Sequence, residues 1–430
     1  MSYTRVMEAE GHLIDSGLMA KIMDTIILNG GEFEILNFDI GRTNDDFSRL
    51  RIKVTAPTKE CFEIINNSLL LLGCFSTGMK PITTKEAPND GSVPPDFYST
   101  SNHTTEVFFD GEWHTVRNQR MDAPIVIKEG QAYCTLLRNI KKGDLVVCGS
   151  EGVRIKPEFK DRDRGEFSFM SNEISSERKV EIAVRELAKM MKRIKSHNGK
   201  IVIVGGPVVV HTGGVESLSL LIREGYVDAL LGGNAIAVHD LENALFGTSL
   251  GVNLATGKPV DAGHRNHMAA INAVNSIGGI KRAVETGMIK SGIMYECVIN
   301  EVPFILAGSL RDDGPLSETI MDLVEAQKAY AEQLKDTELV LMLATMLHSI
   351  AAGNMLPASV KTVCVDINPA VVTKLSDRGS SQARGIVTDV GLFLHLLARE
   401  IKEQSGLNTG RKNSKQRNPF LTHISKTGIV

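Results

Sequence analysis

Six short apolar segments in the second half of the chain constrain its fold more than any other sequence feature. Each is continuous and rich in β-branched residues, without the polar–apolar alternation of a strand that has one face in water. The segments are residues 201–204, 227–231, 302–307, 339–343, 362–365 and 386–387. Strands that are buried on both faces and separated by helices form parallel sheets. The sequence therefore predicts an α/β protein with a parallel, Rossmann-like sheet in its C-terminal part.

Two smaller units are predicted before this sheet. Between Thr4 and about Gly73 the apolar periodicities follow the order strand, helix, strand, strand, helix, which suits a ferredoxin-like α+β module. Between about Pro81 and Pro157 turn signals recur at short intervals, which indicates a small β-domain with Asp110-Gly111 as one hairpin turn. We set the units at residues 1–80 for the ferredoxin-like module, 81–165 for the β-domain, 170–405 for the Rossmann-like domain and 406–430 for a basic tail.

The charge balance argues against a nucleic-acid partner. The 430 residues contain 48 Lys and Arg against 51 Asp and Glu, for a net charge of −3. Residues 406–430 contain five of the cations and no acid, so the preceding 405 residues carry −8. An acidic body does not suit binding to phosphate backbones, and a small metabolite is the better candidate partner. The basic, polar tail predicts disorder.

The six cysteines predict a reduced, cytoplasmic protein. They never form a C-x-x-C pair, and their spacing suits neither a zinc site nor a disulfide scaffold, so no metal is expected. The first ten residues lack the features of a signal peptide. No segment approaches the ~20 apolar residues that span a bilayer. We therefore expect no membrane partner.

The residues that follow each predicted strand are polar and rich in glycine. Open parallel sheets bind ligands beyond the carboxyl ends of their strands. Short turns alone would explain any one of these segments, whereas six in succession favour a ligand site. They begin at Gly205-Gly206, Gly232-Gly233, Gly308-Ser309, Thr345-Met346, Asp366-Ile367 and Thr388-Asp389.

Asp366 is the most specific of these strand-end residues. An acid at the end of a buried strand, about 20 residues after a strand-to-helix turn, binds the ribose hydroxyls of a dinucleotide. Asp366 follows Ala344 at this spacing, and the pattern predicts NAD as a cofactor. The G-x-G-x-x-G fingerprint is replaced by residues 345–349, so other loops would bind the pyrophosphate. Residues 232–235 and Asp389-Val390 are the candidates, because both lie at predicted helix starts.

A second cluster, residues 261–267, contains two histidines on either side of an arginine. His264 and His267 are three apart and would share one face of a helix. A metal site would need a third ligand, and none follows at a recognisable spacing. A surface or helix-capping role for the two histidines stays open. In the remaining interpretation Arg265 pairs with a substrate carboxylate and a histidine exchanges protons.

The β-domain contains a run of seven polar residues, 99–105, before its hairpin, and Arg117 and Arg120 follow. Such a run is typical of a solvated loop. The alternative is that it folds over the mouth of the predicted cofactor site and supplies substrate contacts.

Several motifs together identify a family resemblance. Asn102-His103, the run 142–147, the cluster 264–267, the segment 292–297 and above all residues 307–315, which include Arg311-Asp312-Asp313-Gly314-Pro315, are similar to archaeal-type ornithine cyclodeaminases. That family has a domain named after a bifunctional lysine-ketoglutarate reductase/saccharopine dehydrogenase (LOR/SDH). The resemblance covers residues 1 to about 400.

The resemblance implies conversion of L-ornithine to L-proline and ammonia through internal hydride transfer to and from tightly held NAD. It also implies an NAD domain related to that of deoxyhypusine synthase, and we expect a homo-oligomer. Cofactor contacts are implied at Asn234, Ala235, Asp313, Thr345, Met346, Leu347, His348, Asp366, Asp389 and Val390. We hypothesise that His264 and His267 transfer protons. Substrate contacts are hypothesised at Asn102, His103, Arg120 and Arg265.

Two alternatives stay open from the sequence. An NAD-dependent amino-acid dehydrogenase or reductase would release its product after one hydride transfer and accumulate NADH. The second alternative is a regulator that binds NAD and an amino acid without turnover, because the N-terminal module also suits amino-acid sensing.

Overall fold

A computed structural model describes residues 2–14, 17–42, 46–78, 80–156, 177–254, 256–258, 260, 263–312, 314–371, 374 and 383–414. The chain forms an N-terminal module, a β-domain and a C-terminal sheet domain, in the predicted order. Residues 157–176, which include the predicted boundary between the β-domain and the Rossmann-like domain, lie outside the described residues. None of the described helices is long and apolar enough to cross a membrane.

The N-terminal module is a ferredoxin-like sandwich, as predicted. Its elements are β1 (Tyr3–Gly11), α1 (Leu18–Leu28), β2 (Glu32–Asp39), β3 (Ser48–Ala56), α2 (Lys59–Leu71) and β4 (Phe75–Ser76). The antiparallel strands lie in the order β2-β3-β1-β4. Alternate residues of β3, such as Ile52 and Val54, are buried against Ile22 and Ile26 of α1. The period-2 pattern of β3 therefore sets which face meets the helices.

The β-domain consists of two antiparallel sheets. Its strands are β5 (Thr83–Glu86), β6 (Thr104–Phe109), β7 (Glu112–Thr115), β8 (Ile125–Lys128), β9 (Gln131–Cys134), β10 (Leu145–Cys148) and β11 (Val153–Lys156). One sheet has the order β5-β10-β8-β9 and the other β11-β6-β7. The predicted hairpin joins β6 to β7, with Phe108 opposite Trp113. Asp110 and Gly111 both have positive φ, 53° and 86°, as a two-residue type I′ turn requires.

The C-terminal domain contains the predicted parallel sheet. Its strands are β12 (Lys200–Gly205), β13 (Ala229–Gly233), β16 (Phe304–Ala307), β17 (Thr319–Ile320), β18 (Thr337–Leu343), β19 (Lys361–Asp366) and β20 (Ala383–Val387). A small hairpin, β14 (Thr248–Ser249) and β15 (Val252–Asn253), stands apart from the sheet. The sheet order is β17-β16-β13-β12-β18-β19-β20. All six predicted strands are present, and β17 is an edge strand that the sequence did not reveal.

Helices cover both faces of this sheet. They are α3 (Glu177–Ser196), α4 (Val208–His211), α5 (Val215–Arg223), α6 (Asn234–Phe246), α7 (Asn266–Ser276), α8 (Ile280–Glu285), α9 (Ile293–Ile299), α10 (Leu323–Gln333), α11 (Met346–Met355) and α12 (Val390–Ser414). The larger core packs α3, α5, α6, α9 and α12 on one face, and α10 and α11 cover the other. Burial on both faces explains the continuous apolar strands. Helix α12 extends to Ser414, so the first nine residues of the tail for which disorder was predicted are helical, and residues 415–430 lie outside the described residues.

The β-domain docks on the face covered by α10 and α11. The Asn102 carbonyl accepts a hydrogen bond from the Ala358 N–H at 2.8 Å. Arg138 donates to the side-chain oxygen of Gln327 in α10 at 2.8 Å. Ala358 precedes β19, so the first of these contacts lies near the amino edge of the sheet.

Candidate active site

The order of the strands fixes where a ligand can bind. Successive strands run outward from β12 to β17, and the chain then returns to place β18 on the other side of β12. Connections on the two sides of β12 therefore diverge and leave a crevice at the carboxyl ends of β12 and β18. Such a switch point is the usual ligand site of an open α/β sheet.

The backbone at this switch point is tightly packed and strained. A Cβ added to Gly206, which follows β12, would collide with the carbonyl oxygen of Ala344, which follows β18. Ala344 has φ 48°, which is uncommon for a residue with a side chain. Backbone strain is concentrated at functional sites because the surrounding structure has to maintain it. The close approach explains why glycine follows β12.

Two polar side chains stabilise the neighbouring strand end. The buried Tyr330 hydroxyl donates to the Gly232 carbonyl at 2.8 Å and lies 2.9 Å from Nδ1 of His348. A Cβ on Gly233 would lie 3.0 Å from Nε2 of His348. Burial lowers the pKa of His348, although Asp312 opposes the effect. This contact places a neutral imidazole against the backbone of β13.

Two helices begin at the carboxyl edge without a side-chain cap. Gly233 precedes α6 and Thr345 precedes α11, and neither helix receives a capping hydrogen bond from the side chain at that position. The first N–H groups of a helix together form an anion site when nothing caps them. By contrast, Asp389 accepts from the Leu392 N–H at 2.9 Å and so caps α12.

Asp366 ends β19 at the same edge. One of its carboxylate oxygens accepts a hydrogen bond from the Asn368 N–H at 2.8 Å, which fixes the side chain at the start of the turn. The residue is partly exposed. A fixed, solvent-accessible carboxylate at a strand end can accept hydrogen bonds from two hydroxyls of a sugar.

The other predicted cofactor residues lie around this edge, with different local roles. The Asn234 side-chain oxygen accepts from the Leu316 N–H at 3.1 Å and the Thr319 hydroxyl at 2.9 Å, so it anchors the loop after β16. Ala235 lies in the first turn of α6, and Val390 begins α12 and is buried. Asp313 lies outside the described residues. Met346 and Leu347 form the first turn of α11, where Leu347 is 74% exposed.

A buried hydrogen-bond network lies beside the crevice and was missed from the sequence. His239 and Glu242 are three residues apart in α6, and Nδ1 of His239 lies 3.0 Å from Oε2 of Glu242. The carboxylate also accepts from the Thr248 hydroxyl at 2.9 Å. The backbone N–H groups of Leu250 and Gly251 complete its four donors, at 3.2 and 3.1 Å. Glu242 is thus fully buried and held from four directions.

His211 completes the network from α4. Its ring centroid lies 4.7 Å from that of His239 in an edge-on arrangement. Its Nδ1 lies 2.7 Å from the hydroxyl of the buried Ser249. Helix α4 begins at Val208, two residues after Gly206, so the network borders the switch point.

The charges of this network follow from burial and hydrogen bonding. Burial alone would raise the pKa of Glu242, but the hydrogen bonds from His239, Gly251 and Thr248 outweigh it and hold the pKa below its ordinary value. Glu242 is therefore a carboxylate. Burial, with a contribution from His239, lowers the pKa of His211 to about 4, so this ring is neutral at pH 7.

The predicted histidine–arginine segment is linked to the same network. Residues Gly263–Arg265 form one turn of 3-10 helix that leads into α7. Asn266 donates to the Thr248 hydroxyl at 2.9 Å, and that hydroxyl in turn donates to Glu242. Arg265 is exposed and His267 partly exposed at this end of α7. The His264 side chain lies outside the described residues.

The predicted substrate residues of the β-domain form a separate cluster. Asn102 and His103 are buried rather than solvated, and burial lowers the pKa of His103. Oδ1 of Asn102 and Nε of Arg120 are buried without a hydrogen-bond partner among the described residues. Burial and the nearby Arg138 lower the pKa of Arg120. A buried cation with an unpaired donor suits a carboxylate, and the unpaired amide oxygen of Asn102 suits an ammonium.

The structure does not bring this cluster to the carboxyl edge within one chain. Asn102 contacts Ala358, on the amino side of β19. The strand from Lys361 to Asp366 then separates the two ends of the sheet by roughly 17 Å, at about 3.3 Å per residue. The cluster therefore lies away from the switch point.

The signal that would have revealed His239 and Glu242 is present in the sequence. The two residues follow the glycines that end β13 and lie within one helix, at the i,i+3 spacing that joins side chains. Neither residue directly follows a strand, which is where ligand contacts were expected. Among the residues that the structure describes, no group of three or more His, Cys, Asp or Glu is arranged to bind a metal ion.

Comparisons with protein families match almost the whole chain. Residues 4–103 match the LOR/SDH bifunctional enzyme conserved region. Residues 104–184 match the first region of the C-terminal part of arginine dihydrolase ArgZ-like proteins, and residues 185–397 match the Rossmann fold of that part.

Two relatives illustrate the similarity in sequence. An ornithine cyclodeaminase from Methanothermobacter thermautotrophicus is 49% identical over 407 residues, which cover 94% of this chain and 99% of the relative. The bifunctional arginine dihydrolase/ornithine cyclodeaminase AgrE from Nostoc sp. is 50% identical over 407 residues. That match covers 93% of this chain but 58% of AgrE, so the chain spans little more than half of the bifunctional relatives.

Solved structures extend the comparison to three dimensions. Apo ArgZ, a cyanobacterial arginine dihydrolase, matches 94% of this chain with a TM-score of 0.81 and 46% identity, over 59% of its own length. A LOR/SDH protein from Methanococcus maripaludis matches 76% of this chain and 99% of its own, with a TM-score of 0.72 and 48% identity. The ternary complex of AgrE with ornithine and NAD+ matches 94% of this chain and 58% of its own, with a TM-score of 0.53 and 47% identity.

Proposed function

The chain belongs to the family of ornithine cyclodeaminases with a LOR/SDH conserved region and an ArgZ-like Rossmann domain, and from this premise we propose that it converts L-ornithine to L-proline and ammonia with NAD. The observation that carries the proposal is the 49% identity to an ornithine cyclodeaminase over 99% of that enzyme's length. The complex of AgrE with ornithine and NAD+ supports the choice of cofactor and substrate.

The residues at the switch point fit NAD. The uncapped starts of α6 and α11 offer N–H groups for a pyrophosphate, which accounts for the missing glycine fingerprint. Gly206 and Gly232 let the segments that frame the crevice pack closely, because a Cβ at either position would collide with other protein atoms. Asp366 would accept hydrogen bonds from the ribose hydroxyls and repel a 2′-phosphate.

The proposed reaction divides the chemistry between cofactor and protein. NAD, when bound, supplies a two-electron acceptor that is regenerated within each turnover, so that no net oxidation occurs. The protein has to bind the substrate carboxylate, keep one amine neutral for ring closure and protonate the departing nitrogen as ammonia. The crevice at β12 and β18 would exclude water from the reacting carbon. We propose His264 and His267 as proton-transfer residues and Arg265 as a carboxylate ligand at its rim.

Asn102, His103 and Arg120 are proposed as further substrate contacts. The unpaired Arg120 Nε can donate to a substrate carboxylate, and the unpaired Asn102 oxygen can accept from a substrate ammonium. The separation of both atoms from the carboxyl edge argues against this role. Substitution Arg120→Ala decides between these arguments. A rise in the KM for ornithine at constant NAD affinity is the expected result, and an unchanged KM would remove the cluster from the substrate site.

One assay tests the whole proposal. The chain is incubated with NAD and ornithine, and proline, ammonia and NADH are measured together. We expect proline and ammonia in a 1:1 ratio without accumulation of NADH. Accumulation of NADH would instead indicate a dehydrogenase. Binding of both ligands without any product would indicate a regulator.

A cytoplasmic location and a homo-oligomeric state belong to the same proposal. All six cysteines are free and five are buried, which suits a reducing compartment. Fractionation of the source cells tests the location. Light scattering of the purified chain tests the oligomeric state, and a monomer mass would contradict that part of the proposal.

A further inference from the structure

The His239–Glu242 pair has the arrangement of an oriented proton-transfer group. Glu242 is an acceptor-only carboxylate with four donors around it, and one of these donors is Nδ1 of His239. Nδ1 of His239 therefore carries a hydrogen in the neutral ring. The lone pair of that ring is left on Nε2, which makes no hydrogen bond with the described residues. A histidine whose far nitrogen is held by an acid is a general base at its other nitrogen.

The position of this pair relative to the switch point suits a role in the reaction. His211, in ring contact with His239, lies five residues after Gly206, or about 8 Å at helical rise. Helix α6 begins directly after β13, on the side of β12 opposite Asp366. A dinucleotide whose adenosine ribose binds at Asp366 would extend across β12 and place its reactive ring on the side of His239.

The surroundings of His239 tolerate a transient positive charge. His211 is neutral at pH 7 and does not repel it, whereas the buried Glu242 carboxylate attracts it. Glu242 also anchors Thr248, and through Asn266 the start of α7 with its predicted catalytic histidines. The network thus joins the segments that follow β12 and β13 to the 264–267 segment.

We propose that His239 transfers the substrate's amine proton in the cyclodeaminase reaction and that Glu242 is its positioning residue. An N–H bond of the substrate ammonium breaks, the proton goes to Nε2 and the electron pair stays on the amine nitrogen. The same proton is returned to the departing nitrogen, which leaves as ammonia. No further reactant is required. The inference rests on the proposed function and deepens it.

The substitution His239→Asn tests the proton transfer. The asparagine amide can still donate toward Glu242 but cannot shuttle a proton. We expect kcat for proline to fall roughly 100- to 10,000-fold, the range of general acid–base contributions, with NAD affinity by calorimetry and the KM for ornithine little changed. His197→Asn is the matched control, because His197 forms an exposed pair with Glu338 at the amino edge, at 2.9 Å. This control should behave as wild type.

Two further measurements separate catalysis from a structural role. Histidine-selective ¹⁵N spectra of the chain without substrate should contain a signal from a ring with hydrogen on Nδ1 that vanishes in His239→Asn, while the signals of the other histidines persist. Glu242→Gln should shift the pH profile of kcat/KM, because the ring loses its carboxylate. A wild-type kcat in His239→Asn would overturn the inference while proline formation upholds the proposed function. Loss of folding or of NAD affinity in His239→Asn would also overturn it in favour of a structural role. Absence of proline from the wild-type chain with NAD bound would remove the proposed function itself.

Discussion

At the scale of single residues, burial and hydrogen bonding set the charges that the site can use. Glu242 keeps its charge because four donors compensate for its burial, whereas His211 loses its charge because its partners do not. The same balance makes His348 neutral beside the β13 glycines. Burial and hydrogen-bond partners together set the protonation states of these residues, so those states depend on the fold.

His211 predicts an acid-sensitive stability. The folded chain keeps this ring neutral down to about pH 4, whereas the unfolded chain protonates it near pH 6.5. The unfolded state therefore binds more protons in this window, and the folded state loses stability as the pH falls from 6.5 towards 4. Urea denaturation at several pH values should show that the free energy of unfolding declines less steeply with falling pH in His211→Gln than in wild type. Identical declines in the two proteins would contradict the lowered pKa of His211.

Gly206→Ala tests the close approach at the switch point. The added methyl group would overlap the Ala344 carbonyl oxygen, and overpacking of this kind costs about 1–3 kcal/mol. We expect a lower Tm and weaker NAD binding by calorimetry. Gly78→Ala is the control, because no atom lies within 4 Å of its added Cβ. Equal effects of the two substitutions would show that the crevice relaxes freely.

At the scale of elements, buried polar side chains fix how the helices meet. Asp240 in α6 accepts hydrogen bonds from the Ile293 and Met294 N–H groups at 2.9 and 2.8 Å and so caps α9 from another helix. Burial raises the pKa of Asp240 to about 6 despite these bonds. Helix α6 is buried around most of its circumference although it contains two acids, Asp240 and Glu242. Its burial is tolerated because both carboxylates accept hydrogen bonds from buried donors.

Asp240→Ala is expected to destabilise the chain by about 1–3 kcal/mol, because two buried N–H groups lose their acceptor. The measurement is the free energy of unfolding in urea at pH 7. Asp322→Ala provides the comparison. Asp322 is exposed and caps α10 by accepting hydrogen bonds from the Val324 and Glu325 N–H groups at 2.8 and 3.1 Å. The buried cap should cost more than the exposed one, and the reverse order would contradict this account.

At the scale of the whole molecule, hydrogen bonds between described residues join the β-domain to the sheet domain. The Arg138–Gln327 and Asn102–Ala358 hydrogen bonds connect the β-domain to the face of α10 and α11. The crevice itself is built by segments of the sheet domain that lie far apart in sequence. NAD that bridges these segments would stabilise the domain in proportion to its affinity.

NAD is therefore expected to raise the Tm of the chain. At a concentration 100 times its Kd, a ligand stabilises the folded state by about 2.7 kcal/mol. Asp366→Ala should weaken NAD binding roughly 10- to 100-fold, the value of one or two hydrogen bonds to a charged group. NADP should stabilise the wild-type chain less than NAD, because Asp366 repels the 2′-phosphate. Asp24→Ala, at an exposed position on α1, is the control. A full NAD response in Asp366→Ala would exclude the ribose role.

The sequence alone determined the units of the fold and the strand ends. Burial on both faces produces continuous β-branched segments, so all six main strands could be identified, and glycines marked the turns that follow them. The short edge strand β17 contains two residues and leaves no periodic signal. Local patterns suffice wherever the neighbours in space are neighbours along the chain.

Only the tertiary structure decided which distant residues meet. His211 contacts His239 across 28 residues, and Tyr330 reaches the Gly232 carbonyl across 98. It also decided that Asn102 lies against Ala358 near the amino edge rather than over the crevice. The strand order that creates the switch point was likewise decided only by the tertiary structure. Such contacts depend on packing between separate elements, which leaves no periodicity in the sequence, and the protonation states of the site depend on that packing in turn.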